Sequence, residues 1–131
     1  MDLKLELVQV PASDVDRSLA FYRDRLGFVL DVDVTPMDGM RVVQLTPPGS
    51  ACSILLGTGM GEASSMTPGT QRALHLVVAD VRAAREELVG RGVDVDEVVD
   101  VGGGVLYAWF RDPDGNSLAL QEMPWRTGEN F

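Results

Sequence analysis

The stretch FRDPDGNSLALQE, from Phe110 to Glu122, places a turn between two apolar segments. Proline presets φ, and the Asp, Gly and Asn that follow it tolerate tight or left-handed backbone. Leu118 and Leu120 then alternate with small or polar residues, which is typical of a half-buried strand. Asp112 and Asp114 could instead hold a cation, but the turn chemistry is the more specific signal. The stretch therefore predicts a β-hairpin.

This hairpin has a counterpart earlier in the chain, in QLTPPGSACSILLG from Gln44 to Gly57. Pro47 and Gly49 precede Pro113 and Gly115 by 66 residues. The same offset relates the apolar residues of two short predicted strands, namely Val8, Val10 and Ala12 with Leu74, Leu76 and Val78. One offset that holds from the first strand to the last hairpin indicates an internal repeat.

Each half of the repeat is predicted to form a strand, a helix and three further strands. Apolar residues at helical spacing follow a Ser13 or Asp14 cap, and Gly27 ends that helix. The predicted elements are strands at 5–12, 28–34, 40–46 and 51–57 with a helix at 13–27, then strands at 72–79, 93–100, 104–111 and 117–123 with a helix at 80–92. Residues 57–69 join the halves and are predicted to be a flexible linker.

The composition excludes several classes of partner. The chain of 131 residues carries a net charge of −9 and has no basic stripe, so nucleic acid and anionic membrane are not expected partners. No apolar run approaches the roughly 18 residues of a membrane helix. Cys52 is the one cysteine, which favours a reducing cytoplasm. The nearly lysine-free composition suggests a bacterial source.

The segment SDVDRSLAFYRDRLGF at 13–28, together with the final hairpin, resembles the signatures of the vicinal oxygen chelate superfamily. That superfamily includes glyoxalase I, extradiol dioxygenases and bleomycin-resistance proteins. The resemblance implies an α+β fold of two βαβββ modules, whose curled mixed sheets surround a cavity and carry their helices on the outer face. It implies a single domain over residues 1–131, usually in a homodimer, and leaves open whether modules pair within one chain or between chains. The implied parts are module 1 at about 3–57, a linker at 58–70, module 2 at 71–123 and a C-terminal tail at 124–131.

The resemblance also locates where metal-using relatives hold their ion. One ligand of each module lies seven residues before the aspartate that opens the helix, and the other lies four residues after the turn glycine. In this chain those positions hold Leu7, Ser53, Ala73 and Ala119. One hydroxyl and three hydrocarbon side chains lack the donors that a divalent cation needs. We therefore predict no metal and no cofactor, and Glu122, three residues past Ala119, is predicted to face the other side of its strand.

Residues two positions beyond the vacated ones share their strand face, which predicts a polar cluster of Gln9, His75 and Gln121 with Leu55. Tyr107, Trp109 and Arg111 alternate on one face of the strand before the final hairpin, and such polar-tipped rings favour a cavity over a sealed core. Core packing stays open for this strand. The predicted ligand-binding set is Gln9, Arg41, Ser53, Leu55, His75, Tyr107, Trp109 and Gln121, with Arg41 included as the repeat counterpart of Tyr107.

The function predicted from these residues is binding of a hydrophobic or aromatic small molecule in the cavity between the modules. A metal-dependent glyoxalase or dioxygenase is not favoured. The alternative is a metal-independent isomerase, lyase or cyclase that uses His75 as the acid/base catalyst. A third role for this lone histidine is plain packing, with its hydrogen bonds satisfied internally. The sequence does not identify the ligand.

Overall fold

The computed structural model describes residues 1–126, so residues 127–131 of the predicted C-terminal tail lie outside the described range. The chain divides into two compact units. One comprises Met1–Gln71 with Pro113–Asn116, and the other comprises Arg72–Asp112 with the described part of Ser117–Phe131. No helix within residues 1–126 is long and apolar enough to cross a membrane.

The first unit contains one mixed four-stranded sheet and one main helix. Its elements are β1 (Leu7–Gln9), α1 (Val15–Ala20) continued by a π-helical turn (Phe21–Arg25), β2 (Val29–Met37), β3 (Met40–Thr46), β4 (Ser53–Thr58) and a short 3₁₀ helix (Gly61–Ser64). The strand order is β1-β4-β3-β2, in which β1 and β4 run parallel and the other pairs are antiparallel.

The second unit repeats this plan with a much shorter outer strand. Its elements are β5 (Leu74–Val77), α2 (Val81–Gly90), β6 (Val99–Asp100), β7 (Leu106–Arg111) and β8 (Ser117–Glu122), in the sheet order β5-β8-β7-β6. The strand predicted at 93–100 is reduced to β6 and one isolated bridge between Val95 and Phe110. The predicted two-module α+β architecture of four-stranded mixed sheets is confirmed.

Both helices begin where the sequence predicts. The Asp14 carboxylate accepts a hydrogen bond from the Arg17 N–H at 3.2 Å, and the Asp80 carboxylate accepts one from the Ala83 N–H at 3.0 Å. Each bond satisfies a backbone donor that has no partner inside its helix. The Glu122 carboxylate accepts from the Val81 N–H at 2.9 Å, so this side chain faces α2 and not the side of Ala119, as alternation predicts.

The centre of one face of each sheet is apolar and buried. In the first sheet this face carries Val43, Leu45, Ile54 and Leu56, and in the second it carries Ala108, Phe110, Leu118 and Leu120. Burying a large apolar side chain of this kind contributes about 1.5–3 kcal/mol, so these faces hold each unit together. The opposite side of each sheet, called its open face below, carries the polar and aromatic residues.

The turn Pro113–Asn116 confirms the predicted hairpin, and its side chains belong to the first unit. The Asp114 carboxylate accepts hydrogen bonds from the backbone N–H of Ser13 at 3.1 Å and from its hydroxyl, and it pairs with Arg17. Asn116 is fully buried, donates to the Pro11 carbonyl at 2.8 Å and accepts from the N–H of Gln71 at 3.1 Å. The carboxylate of this turn therefore supports the start of α1.

Candidate functional site

The register between the first and last strands differs in the two sheets. Leu7 on β1 lies level with Ser53 on β4, whereas the residue level with Ala119 on β8 is His75. The prediction that Ala73 occupies the position equivalent to Leu7 is therefore wrong by two residues. Five residues separate β1 from α1, whereas three separate β5 from α2. Counting seven residues back from Asp80, as from Asp14, therefore ends two residues before His75.

The register of β3 and β7 also departs from the repeat offset of 66, in the opposite direction from that of β1 and β5. Gln44 on β3 lies level with Leu55, and Tyr107 on β7 lies level with Gln121. Since Leu55 and Gln121 are 66 residues apart, the counterpart of Tyr107 is Gln44, at an offset of 63. The assignment of Arg41 as that counterpart is wrong, because an odd change of register moves a side chain to the other face.

Arg41 lies on the helix-covered side of the first sheet. Its guanidinium donates to Asp16 on α1 at 2.7 Å and to both carboxylate oxygens of Asp33 at 3.0 Å. The hydrogen bonds from Arg41 hold the pKa of the Asp33 carboxyl below its usual range, and those to Asp33 and Asp16 raise the pKa of the guanidinium. Arg41 is thus committed to ion pairs away from the open face.

Polar side chains on the open face of the first sheet form hydrogen bonds with other groups of the same unit. The Gln9 side chain donates to the Glu62 carbonyl at 3.2 Å and accepts from the Met66 N–H at 3.0 Å. The segment after β4, predicted to be a flexible linker, contains the short 3₁₀ helix Gly61–Ser64, and the bond from Gln9 to Glu62 connects this helix to β1. Ser53 is buried, and its hydroxyl bonds that of Thr46 at 2.7 Å.

A cavity of about 200 Å³ remains beside this segment. Its walls include Gln9, Pro11, Leu55, Gly57, Ala63 and Met66. This volume is below the roughly 300–1,000 Å³ of pockets that enclose drug-sized molecules. The first sheet therefore brings Gln9 and Leu55 together, in a space suited to a few waters or a very small group.

The open face of the second sheet carries an aromatic cluster, defined as His75, Tyr107 and Trp109. The imidazole centroid lies 5.6 Å from that of Tyr107 and 5.7 Å from that of Trp109, both with edge-to-face geometry. The Tyr107 and Trp109 rings are nearly parallel, with an interplanar angle of 23° and centroids 6.1 Å apart. His75 is exposed, and both larger rings are half-buried.

Ala119 explains how these rings meet. It lies level with His75 on one side and with Trp109 on the other, and it is fully buried. Because its side chain is a single methyl group, the two flanking rings can approach each other over it. Gln121, one row further along, donates from its amide to the Tyr107 hydroxyl at 2.9 Å.

Two further hydrogen bonds involve polar side chains of this face. The Nδ1 atom of His75 lies 2.7 Å from the Ala73 carbonyl oxygen. Arg111 lies beyond Trp109 on the same strand face, and its guanidinium donates to the Phe110 carbonyl at 3.2 Å. Within residues 1–126, no group of three or more His, Cys, Asp or Glu side chains is arranged to hold a metal ion.

Sequence reasoning missed Gln44 and Thr46, which occupy the first open face at the positions equivalent to Tyr107 and Trp109. Their signal was present in the strand itself. Val43 and Leu45 flank Gln44 in β3, and alternation that places these two in the core places Gln44 and Thr46 on the opposite face. A constant offset of 66 applied to every strand pointed to Arg41 instead.

Comparison with known proteins identifies the family. Residues 4–120 match the model of the Glyoxalase/Bleomycin resistance protein/Dioxygenase superfamily. The match covers most of the chain, and the two-module fold agrees with it. The chain belongs to this superfamily.

Two solved structures from Streptomyces sp. CB03234 are similar over nearly their whole length. TnmS3, an antibiotic binding protein, is 34% identical, with 93% of this chain and 97% of that chain covered and a TM-score of 0.80. A glyoxalase/bleomycin resistance protein is 36% identical, with 89% and 98% covered and a TM-score of 0.75. A glyoxylase-like domain-containing protein of Didymella fabae is 24% identical over 120 residues, which span 89% of this chain and 91% of that protein.

Proposed function

We propose that this protein binds a small aromatic molecule on the open face of its second sheet. The observation that carries the proposal is the aromatic cluster, whose three rings meet at 5.6–6.1 Å on the side of the sheet away from α2. Aromatic pairs in edge-to-face or offset geometry are worth about 0.5–1.5 kcal/mol beyond their buried area. A ligand ring can make the same contacts with the exposed parts of Tyr107 and Trp109.

The polar groups of this face fit the role. A ligand site typically combines apolar and aromatic walls with a few polar groups that fix orientation. Here the imidazole of His75 and the hydroxyl of Tyr107 lie among the rings, and Gln121 holds that hydroxyl in place. The 34% identity to an antibiotic binding protein also supports binding of a small molecule.

The residues at the superfamily's metal positions do not fit a metal ion. In the first sheet the level pair is Leu7 and Ser53, and in the second it is His75 and Ala119. Together they offer one imidazole and one hydroxyl, and the hydroxyl of Ser53 is already bonded to Thr46. A metal site of this kind needs at least three nitrogen, oxygen or sulfur ligands. The proposed binding is therefore metal-free, and no chemical step is assigned to an ion.

One observation favours a second candidate, a metal-independent isomerase, lyase or cyclase. His75 and Tyr107 place two proton-exchanging groups on one face, with ring centroids 5.6 Å apart. Such a pair can move a proton between two atoms of a bound substrate. A binding protein returns its ligand unchanged at stoichiometric occupancy, whereas an enzyme turns over.

The homodimer and the bacterial cytoplasm remain predictions.

The proposal is tested by calorimetric titration with 2-naphthol, a flat aromatic probe. Trp109→Ala should weaken binding about tenfold, because the ligand loses its largest stacking partner. Trp125→Ala is the matched control, since that tryptophan is 63% exposed and lies outside the cluster; it should bind like the wild type. Trp109→Phe keeps a ring if the alanine variant fails to fold. Wild-type affinity in a folded Trp109→Ala protein would refute the proposal.

A further inference from the structure

The hydrogen bond of His75 fixes which of its nitrogens carries the proton. Nδ1 lies 2.7 Å from the Ala73 carbonyl oxygen, and a carbonyl can only accept. Nδ1 must therefore be the donor, so in the neutral imidazole Nε2 is left as a hydrogen-bond acceptor.

The backbone holds that carbonyl in an unusual position. Ala73 has a φ of +60°, a left-handed conformation that costs a residue with a Cβ roughly 1–2 kcal/mol. Its N–H donates to the Ser117 hydroxyl on β8 at 2.8 Å, which fixes the peptide against the sheet. The strained residue thus fixes the orientation of the carbonyl that His75 uses.

The free acceptor lies beside the aromatic cluster. Within the described part of the chain, Nε2 of His75 has no hydrogen-bond partner, and the side chain is exposed. The Tyr107 hydroxyl accepts from Gln121, so its own proton remains to be donated. This face therefore presents one acceptor and one donor next to two larger rings.

We infer that the site selects aromatic ligands that carry a hydroxyl group, with the ligand O–H donating to Nε2 of His75. This inference rests on the proposed function and names its ligand class. An apolar ring, or one that only accepts, would cover Nε2 without giving it a donor, and an unpaired polar group is costly once water is excluded. An ionised phenolate lacks the donor and is also disfavoured by the net charge of −9. The selected class is the neutral hydroxyarenes.

A matched pair of probes tests the class. 2-Naphthol and 2-methoxynaphthalene share a ring system, but only the first has an O–H to donate. In equilibrium dialysis, the naphthol should bind about tenfold more tightly, a difference of about 1.4 kcal/mol. His75→Phe keeps a ring and removes the acceptor. It should abolish the preference, so that the two probes bind this variant with equal affinity.

A second measurement reports the tautomer without any ligand. His75 is the one histidine of the chain, so its ¹⁵N signals need no assignment among others. In alkaline solution, Nδ1 should show the shift of a protonated nitrogen and Nε2 that of an unprotonated one. A protonated Nε2 would overturn the inference. Equal affinity for both probes would also overturn it and leave the proposed function standing, whereas failure of both probes to bind would overturn both.

Discussion

The open faces of the two sheets hold the same rows of positions and fill them differently. One row of the first sheet runs through Leu7, Ser53 and Thr46, and its equivalent in the second runs through His75, Ala119 and Trp109. In the first, two hydroxyls bond to each other at 2.7 Å. In the second, two rings meet over a methyl group. The repeat thus conserves the backbone frame and leaves the chemistry of each face free to diverge.

The next row shows the same contrast. In the first sheet, the amide of Gln9 is satisfied by Glu62 and Met66, from the segment that follows β4. In the second, Gln121 bonds to Tyr107 and leaves the hydroxyl proton of that residue available. One face contributes to stability through its own chain, and the other keeps polar groups that a ligand can use.

The two hairpin turns differ as strongly. Asn116 is fully buried and its side chain bonds to Pro11 and Gln71, whereas Ser50, at the equivalent position, is exposed, and within residues 1–126 its side chain bonds only with the neighbouring Cys52. Asn116→Ala removes the side-chain partner of the half-buried Gln71 N–H and of the buried Pro11 carbonyl, and it should lower the free energy of unfolding by about 2–4 kcal/mol. Ser50→Ala should change it by less than about 0.5 kcal/mol. Chemical denaturation measures both, and equal losses would remove the contrast.

The first open face is tested by its two glutamines. Gln9→Ala should cost about 1–2 kcal/mol of stability, because a backbone N–H and a backbone carbonyl lose their partner. Gln44→Ala is the control, since within residues 1–126 its amide bonds only to the exposed carboxylate of Glu6 at 2.9 Å, and it should cost less than about 0.5 kcal/mol. Neither variant should change the affinity for 2-naphthol. A large loss of affinity in Gln9→Ala would mean that the first face also contacts the ligand.

The smallest expected effect concerns Arg41. Its partners Asp33 and Asp16 are 32% and 80% exposed, so Arg41→Ala should cost less than about 1 kcal/mol and leave probe binding unchanged. The hydrogen bond from Arg41 lowers the pKa of Asp33 from the usual 3.8, so the folded state binds that proton less readily than the unfolded state. The stabilisation is therefore present above pH 4 and is lost as the pH falls through the lowered pKa.

Denaturation midpoints of the wild type and Arg41→Ala at pH 6 and pH 3 check this sign. The difference between the two proteins should shrink on acidification. Asp33→Asn removes the titrating group, so at pH 6 Arg41→Ala should lower the denaturation midpoint less in that variant than in the wild type. A difference that grows toward pH 3 would contradict the assigned cause.

Local chemistry made much of this protein predictable from its sequence. Proline and glycine mark both hairpin turns, and aspartates cap both helices. Alternation correctly predicted that Glu122 faces away from the side of Ala119, and its carboxylate contacts α2. The internal repeat and the superfamily also followed from these signals, because each rests on short motifs whose own residues are close together in the chain.

Only the tertiary structure decided which residues stand level across a sheet. The sequence repeat has one offset, 66, whereas the paired strands have offsets of 68 between β1 and β5, 66 between β4 and β8, and 63 between β3 and β7. Connection lengths set these registers, and the residues of a strand record which face each one occupies but not which residue of the neighbouring strand lies level with it. An even shift put His75 where Ala73 was expected, and an odd shift moved Arg41 to the opposite face, because side chains alternate with a period of two.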